Sequence, residues 1–276
     1  MQNILVTGAN RGLGFGLIHN LAKSGNKSTL FMGCRNLDKA NEALKKIKDE
    51  TNSKHEIKIV PVDLNDQKSF ENIKKSLLDK DQRLSVLVNN AGVKYGGHEI
   101  TLDQATHMMN VNYYNQKALV DYLLDNDLFE DNSKILNMSS TLANSAMLAD
   151  EMAKERALNL QSYEDIDELI KDLLDAISKG EYWFSKKVYH PTYMFTKYIF
   201  GKYSHLLSQD AAIVDKNMQV YALCPGWVRT DMGGPSALLS IEQGVTTQRF
   251  LIDKEHTIDP KMQGKLIYNK KPVTIK

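Results

Sequence analysis

The chain has 276 residues, 42% hydrophobic and 25% charged, with a formal net charge of +1. These are ordinary globular values, and the near-zero charge argues against a nucleic-acid partner drawn in by a strong basic field and for a small-molecule partner. The length fits one open α/β domain over residues 1–276, and no apolar run approaches the roughly 18 residues that a membrane span needs.

Taken in chain order, short β-branched apolar runs alternate with longer stretches of helical periodicity. A parallel sheet with crossover helices requires that alternation. The first strand is expected at Asn3–Thr7, so close to Met1 that no leader peptide fits before it. Further strands are expected at Thr29–Cys34, Glu56–Val62, Leu84–Asn89, Lys134–Met138, Met218–Leu223 and Lys265–Tyr268, with helices at Leu13–Lys23, Lys39–Glu50, Lys68–Asp79 and Leu102–Leu124. The expected fold is a single Rossmann-type doubly wound parallel sheet of about seven strands. Residues 141–190 break the rhythm as a helical insertion. There Ile166, Leu169, Ile170, Leu173, Leu174 and Ile177 form one apolar helix face, Ser162 and Asp165 suggest a capping box, and Gly180 marks a stop. The two cysteines, Cys34 and Cys224, have neither disulfide nor zinc spacing, which fits a reducing, cytoplasmic compartment, and the histidines show no metal-ligand spacing.

The first strand runs into Thr7-Gly8-Ala9-Asn10-Arg11-Gly12-Leu13-Gly14, with helical periodicity directly after it. Glycines at a strand-to-helix turn let the backbone approach a pyrophosphate, whose charge is met by free N–H groups and the helix dipole. About 20 residues past such glycines, an acidic residue selects NAD by holding the ribose 2′-hydroxyl. Here the second strand ends in Cys34-Arg35-Asn36, without a carboxylate, so Arg35 is expected to attract a 2′-phosphate and Arg11 to clamp it from the other side. The expected cofactor is NADP(H). Asp63, followed by Leu64, is placed to accept a hydrogen bond from the adenine amine or to cap the next helix, and both readings stand.

Tyr193 and Lys197 lie four apart, so on a helix both side chains share one face. A nearby cation favours the phenolate and brings an otherwise weak acid into a useful range. Together with the glycine turn, Asn89-Asn90-Ala91-Gly92 after the fourth strand and Ser140 after the fifth, this pair resembles the short-chain dehydrogenase/reductase pattern over essentially the whole chain. The segment Cys224-Pro225-Gly226-Trp227-Val228-Arg229-Thr230-Asp231-Met232 and the 53 residues separating Ser140 from Tyr193 resemble the carbonyl reductase branch of that family. The resemblance implies hydride transfer from NADPH to a small carbonyl compound, with Tyr193 as proton donor and Ser140 donating to the same oxygen. Lys197 would hold the nicotinamide ribose, and Asn112 would connect the lysine to solvent. It assigns Asn90, Ala91 and Gly92 to the cofactor wall, along with Pro225, Gly226, Val228 and Thr230. Ser139 would back the sheet, and Thr196 stands where many relatives have serine. A monomer is implied, because the insertion covers the usual dimer surface.

On the substrate side, Trp227 is expected at the nicotinamide end, and Tyr182-Trp183-Phe184 either wall the substrate or pack the insertion onto the body. Residues 233–240 read as a mobile loop. Two alternatives stay open: a non-catalytic NADP(H)-sensing protein, and a reductase of a specialised substrate such as a steroid, pterin or polyol.

Overall fold

Strand β1 (Gln2–Thr7) carries Ile4, Leu5 and Val6, all buried, and a strand apolar on both faces belongs inside a parallel sheet covered by helices on each side. The computed structural model, which describes residues 1–25, 27–97, 100–254 and 258–274, puts it there. Helix α1 (Gly12–Ala22) leads to β2 (Ser28–Cys34), α2 (Leu37–Glu50) to β3 (Glu56–Pro61), and α3 (Glu71–Leu78) to β4 (Leu84–Asn89). The second half adds β5 (Phe129–Met138), β6 (Gln219–Cys224), β7 (Leu266–Tyr268) and β8 (Lys271–Val273). The strand order is β3-β2-β1-β4-β5-β6-β7-β8, parallel except for β8. Connections diverge between β1 and β4, and the crevice at their carboxyl ends is where such sheets bind ligands.

The expected doubly wound sheet is present, with eight strands rather than about seven. β8 escaped the sequence reading because it is three residues long and contains Pro272. It pairs with β7 through Asn269 and Lys270, both at positive φ (49° and 64°), the backbone of a tight two-residue hairpin turn without its usual glycine. β5 starts earlier than expected, because Leu84 pairs with Phe129 before a register shift and Asn132 turns through φ 61°.

The helix expected over 102–124 is divided into α4 (Leu102–Met109) and α5 (Asn115–Asp125) by a π-helical turn at Asn110–Tyr114. Single π turns inside helices are frequent at functional sites, and this one carries Asn112. The insertion holds α6 (Glu151–Leu158), which has too weak an apolar stripe to be legible, and α7 (Tyr163–Ser178). α7 matches its sequence signals: Ser162 and Asp165 form the capping box, Ile166, Leu169, Ile170 and Leu173 are buried, and Gly180 at φ 73° follows its end. The insertion's two ends are joined by an antiparallel bridge between Leu148 and Phe184. α8 (Pro191–Leu207) then packs on β5 and β6, and Tyr198 Oη donates to the Ala157 carbonyl at 2.6 Å, fastening α6 to it. α9 (Ala211–Asp215) precedes β6, and α10 (Ile241–Gly244) and α11 (Thr246–Ile252) follow it.

One core lies beneath α3, α4, α5, α8 and the insertion, and a second lies on the opposite face beneath α1, α2 and α11. Among the described residues no helix is long and apolar enough to cross a membrane, and no cluster of metal-ligating side chains is found. His98 and His256 lie outside the described residues.

Candidate active site

At the end of β1 the chain must turn within a few residues into α1, and Gly8 does so at φ 65° with its N–H donating to the Gly33 carbonyl at 2.8 Å. A Cβ on Gly14 would stand 2.6 Å from both the Gly8 carbonyl oxygen and Asn90 Nδ2, so only glycine lets α1 approach this closely. The turn is tied to β4 by Thr7, whose Oγ1 accepts from the N–H groups of Asn90 and Ala91, each at 3.0 Å. Asn90 Nδ2 returns a bond to the Thr7 carbonyl at 2.8 Å. The N-terminus of α1 has no side-chain cap and no acidic residue in its first turn, which leaves its N–H groups for an anion.

These elements border a cleft of about 720 Å³. Of the residues singled out from sequence, Gly8, Asn10, Arg11, Gly12, Leu13, Arg35, Asp63, Leu64, Asn90, Ala91, Gly92 and Thr230 line it. The size suits a dinucleotide, and the glycine-cradled backbone with cations at one end fits its phosphates. Gly14, Tyr193, Lys197, Pro225, Gly226 and Val228, also expected at the cofactor, do not line it. Val228 is buried and bridges to Leu239, and a Cβ on Gly226 would stand 2.5 Å from the Leu239 side chain. Asp63 Oδ1 accepts from the Asn65 N–H at 3.0 Å, and the short 3-10 turn at 67–70 is capped by Asp66 instead.

Sequence reasoning missed several lining residues. Asn36 caps α2, and Lys39 sits in the first turn of that helix beside Arg35. A cation in the first turn opposes the helix dipole, and that was the available signal. Lys94, Tyr95, His107, Asp231 and Met232 also line the cleft, Tyr95 Oη lying 2.8 Å from His107 Nδ1. Sequence separation hid them, since they come from three different segments.

Tyr193 and Lys197 lie on the first turns of α8, which is stitched to the end of β5. Lys197 Nζ donates to the Met138 carbonyl, and Ser139 Oγ donates to the Lys197 carbonyl, both at 2.7 Å. Ser139 is thus turned into the body, while Ser140 is part-exposed and its Oγ accepts from the Leu142 N–H at 3.1 Å. Asn112 is fully buried: its Oδ1 accepts from the Val93 N–H at 2.8 Å, and its Nδ2 donates to the Val93 carbonyl at 2.9 Å and to Thr196 Oγ1 at 3.0 Å. Thr196 Oγ1 in turn donates to the Tyr193 carbonyl at 2.7 Å, so this threonine links Asn112 to the tyrosine's own turn.

Burial lowers Lys197 from the usual 10.5 to about 8. Burial of the ring also holds the Tyr193 phenol above its ordinary value, although the residue is part-exposed at the surface. The lysine by itself therefore does not lower the phenol, and the expected lowering also calls on the charge of an oxidised nicotinamide. The ammonium lies 5.7 Å from the ring centroid and is bonded to Met138, so desolvation wins. The phenol oxygen faces Met232, with Oη to Sδ at 3.6 Å.

One further expectation changes, and one choice left open by the sequence is decided. Residues 233–240 are pinned rather than free: Arg229 Nη1 donates to the carbonyls of Ala237 and Leu238 at 3.0 and 2.9 Å, and the Leu239 N–H to the Trp227 carbonyl at 3.0 Å. Tyr182, Trp183 and Phe184 border a separate cavity of about 710 Å³ rather than the nucleotide cleft. Phe184 is buried and edge-on to Phe195 at 6.2 Å, packing the insertion onto the body. Trp227 is half exposed and donates from Nε1 to the Gly233 carbonyl at 2.8 Å.

The family model described as short chain dehydrogenase matches residues 2–151, more than half of the chain. The protein belongs to this family. Among curated short-chain dehydrogenase relatives, carbonyl reductase [NADPH] 1 of Rattus norvegicus is 27% identical over 260 residues, covering 90% of this chain and 89% of its own. (+)-Neomenthol dehydrogenase of Arabidopsis thaliana is 28% identical, covering 88% of each. Among solved structures, salutaridine reductase from Papaver somniferum superposes with a TM-score of 0.76 at 23% identity, covering 88% of this chain and 92% of that one. NADPH-bound carbonyl reductase from chicken fatty liver superposes with a TM-score of 0.70 at 21% identity, covering 100% and 99%. These two structures share the short-chain dehydrogenase fold described above.

Proposed function

We propose that this short-chain dehydrogenase is an NADP(H)-dependent reductase that converts a small carbonyl compound to an alcohol, with Tyr193 as the proton donor. The observation that carries the reading is the meeting of Tyr193, Lys197, Thr196 and Asn112 directly behind two residues that line a cleft fit for a dinucleotide, Met232 against the Tyr193 hydroxyl and Gly92 beside Lys197 and Asn112. Arg35 and Lys39 lie at the adenosine end of that cleft. NADPH, when bound, supplies the hydride that goes to the carbonyl carbon. The backbone of residues 8–13 and the α1 N-terminus would hold the pyrophosphate, and Arg11, Arg35, Asn36 and Lys39 would face the ribose 2′-phosphate. Asn90, Ala91, Gly92 and Thr230 would bound the nicotinamide half, with Lys197 Nζ beside Gly92.

With the phenol held up by burial, Tyr193 is protonated at neutral pH, the form that a proton donor needs. Ser140 uses its oxygen as an acceptor from Leu142, so its hydroxyl hydrogen is available to the developing alkoxide. Lys197, still largely an ammonium below pH 8, stabilises the phenolate left behind, and its proton is replaced past Gly92 and Asn112. The aromatic ring of Trp227 and the side chain of Met232 suit an apolar ketone, aldehyde or quinone. The relatives' names, which include carbonyl reductase, neomenthol dehydrogenase and salutaridine reductase, support that class.

The test is NADPH oxidation measured against aldehydes, quinones, menthone and other ketones, with Tyr193→Phe alongside. The variant is expected to lose at least about a hundredfold in kcat. Turnover unaffected by the substitution removes the mechanism, and NADPH binding without turnover of any carbonyl favours the sensing alternative.

A further inference from the structure

Asp231 has an exposed carboxylate, yet it closes the cleft: its Oδ2 accepts from Arg11 Nη1 at 3.0 Å, joining residues 220 apart in sequence. The two lips meet at the glycine turn, where a Cβ on Gly12 would stand 3.7 Å from the Thr230 side chain. The next residue, Met232, has its sulfur on the Tyr193 hydroxyl, and its carbonyl accepts from Lys94 Nζ at 2.6 Å. Segment 231–233 therefore runs from the phosphate side of the cleft to the proton donor, tethered at both ends.

We propose that Asp231 is a specificity-determining residue that competes with the cofactor's 2′-phosphate for Arg11. The inference rests on the NADP reading above. Both partners are largely exposed, with side-chain exposures of 69% for Arg11 and 80% for Asp231, and ion pairs so exposed are weak and screened by salt. A phosphate monoester carries nearly two charges and three acceptor oxygens, and it offers a guanidinium a better bidentate partner than one carboxylate does. Arg11 accordingly exchanges Asp231 for a 2′-phosphate when one is present, and keeps Asp231 when it is not.

The experiment is calorimetric titration of the full chain with adenosine 2′,5′-bisphosphate and with adenosine 5′-monophosphate, at low and at physiological salt. The chains compared are wild type, Asp231→Asn, Arg11→Ala and the double variant. Asp231→Asn is expected to tighten the bisphosphate by about two- to fivefold, the range of an exposed ion pair, and by more than it tightens the monophosphate. The gain should disappear in the Arg11→Ala background. No gain, an equal gain for both nucleotides, or a gain that persists without Arg11 overturns the proposal. The NADP reading is tested separately: a wild type that fails to prefer the bisphosphate, or an Arg35→Ala variant that weakens both nucleotides alike, overturns that reading. If only the Asp231 result fails, the NADP reading stands.

Discussion

At Lys197 two demands oppose each other. Its role requires a cation, and its position, buried between β5 and α8, penalises one. Burial lowers it from the usual 10.5 to about 8, and its Nζ donates to the Met138 carbonyl. Between about pH 8 and 10.5 the unfolded chain binds more protons at this site than the folded one, so the lysine's contribution to stability rises with pH across that window. Wild type compared with Lys197→Met in urea melts from pH 7 to 11 should show this rise, and its absence would place the lysine in a wetter site. Reduction should instead fall as pH passes about 8, because the ammonium that supports the phenolate is lost; a flat rate profile to pH 10 contradicts this. The pairing of Tyr193 with Lys197 was legible from their spacing. The sign of the tyrosine's shift was not, because burial is a property of the packed molecule.

The π turn between α4 and α5 is the element that assembles the site. It turns Asn112 inward, where its amide is divided between the Val93 backbone and Thr196, and so it joins the segment after β4 to α8. Gly92 lies in the gap beyond: a Cβ there would stand 3.2 Å from Asn112 Oδ1 and 3.7 Å from Lys197 Nζ. A methyl group would fill the space through which the lysine is expected to be reprotonated, without touching the glycine turn. Gly92→Ala is expected to fold and to lower kcat by about tenfold or more, with a smaller change in KM. Equal kcat in variant and wild type would show that the gap carries no proton. Asn112 could be matched from the sequence, but the helix around it reads as one continuous run, because apolar periodicity does not register one extra residue in a turn.

For the whole molecule, α7 packs over α4 and α8, and Tyr163 at its start lies under Lys117 of α5, with Nζ 5.0 Å from the ring centroid. The insertion thus covers α4 and α8, and on that ground we propose a monomer. One chain of 31.2 kDa is the expected mass by light scattering, and a dimer mass would show that another surface associates. The sequence by itself determined the sheet, the glycine turn and α7 with its caps, and it singled out the tyrosine, lysine and serine proposed for the site. Each of these is written in local spacing, in apolar period, or in a residue type that a turn demands. Only the tertiary structure decided the strand β8, the break at Asn112, the pinned segment 233–240, the cavity beside Trp183, and the bridge from Arg11 to Asp231. These depend on which distant segments the fold brings together, and a bond across 220 residues leaves no trace in the pattern of either end.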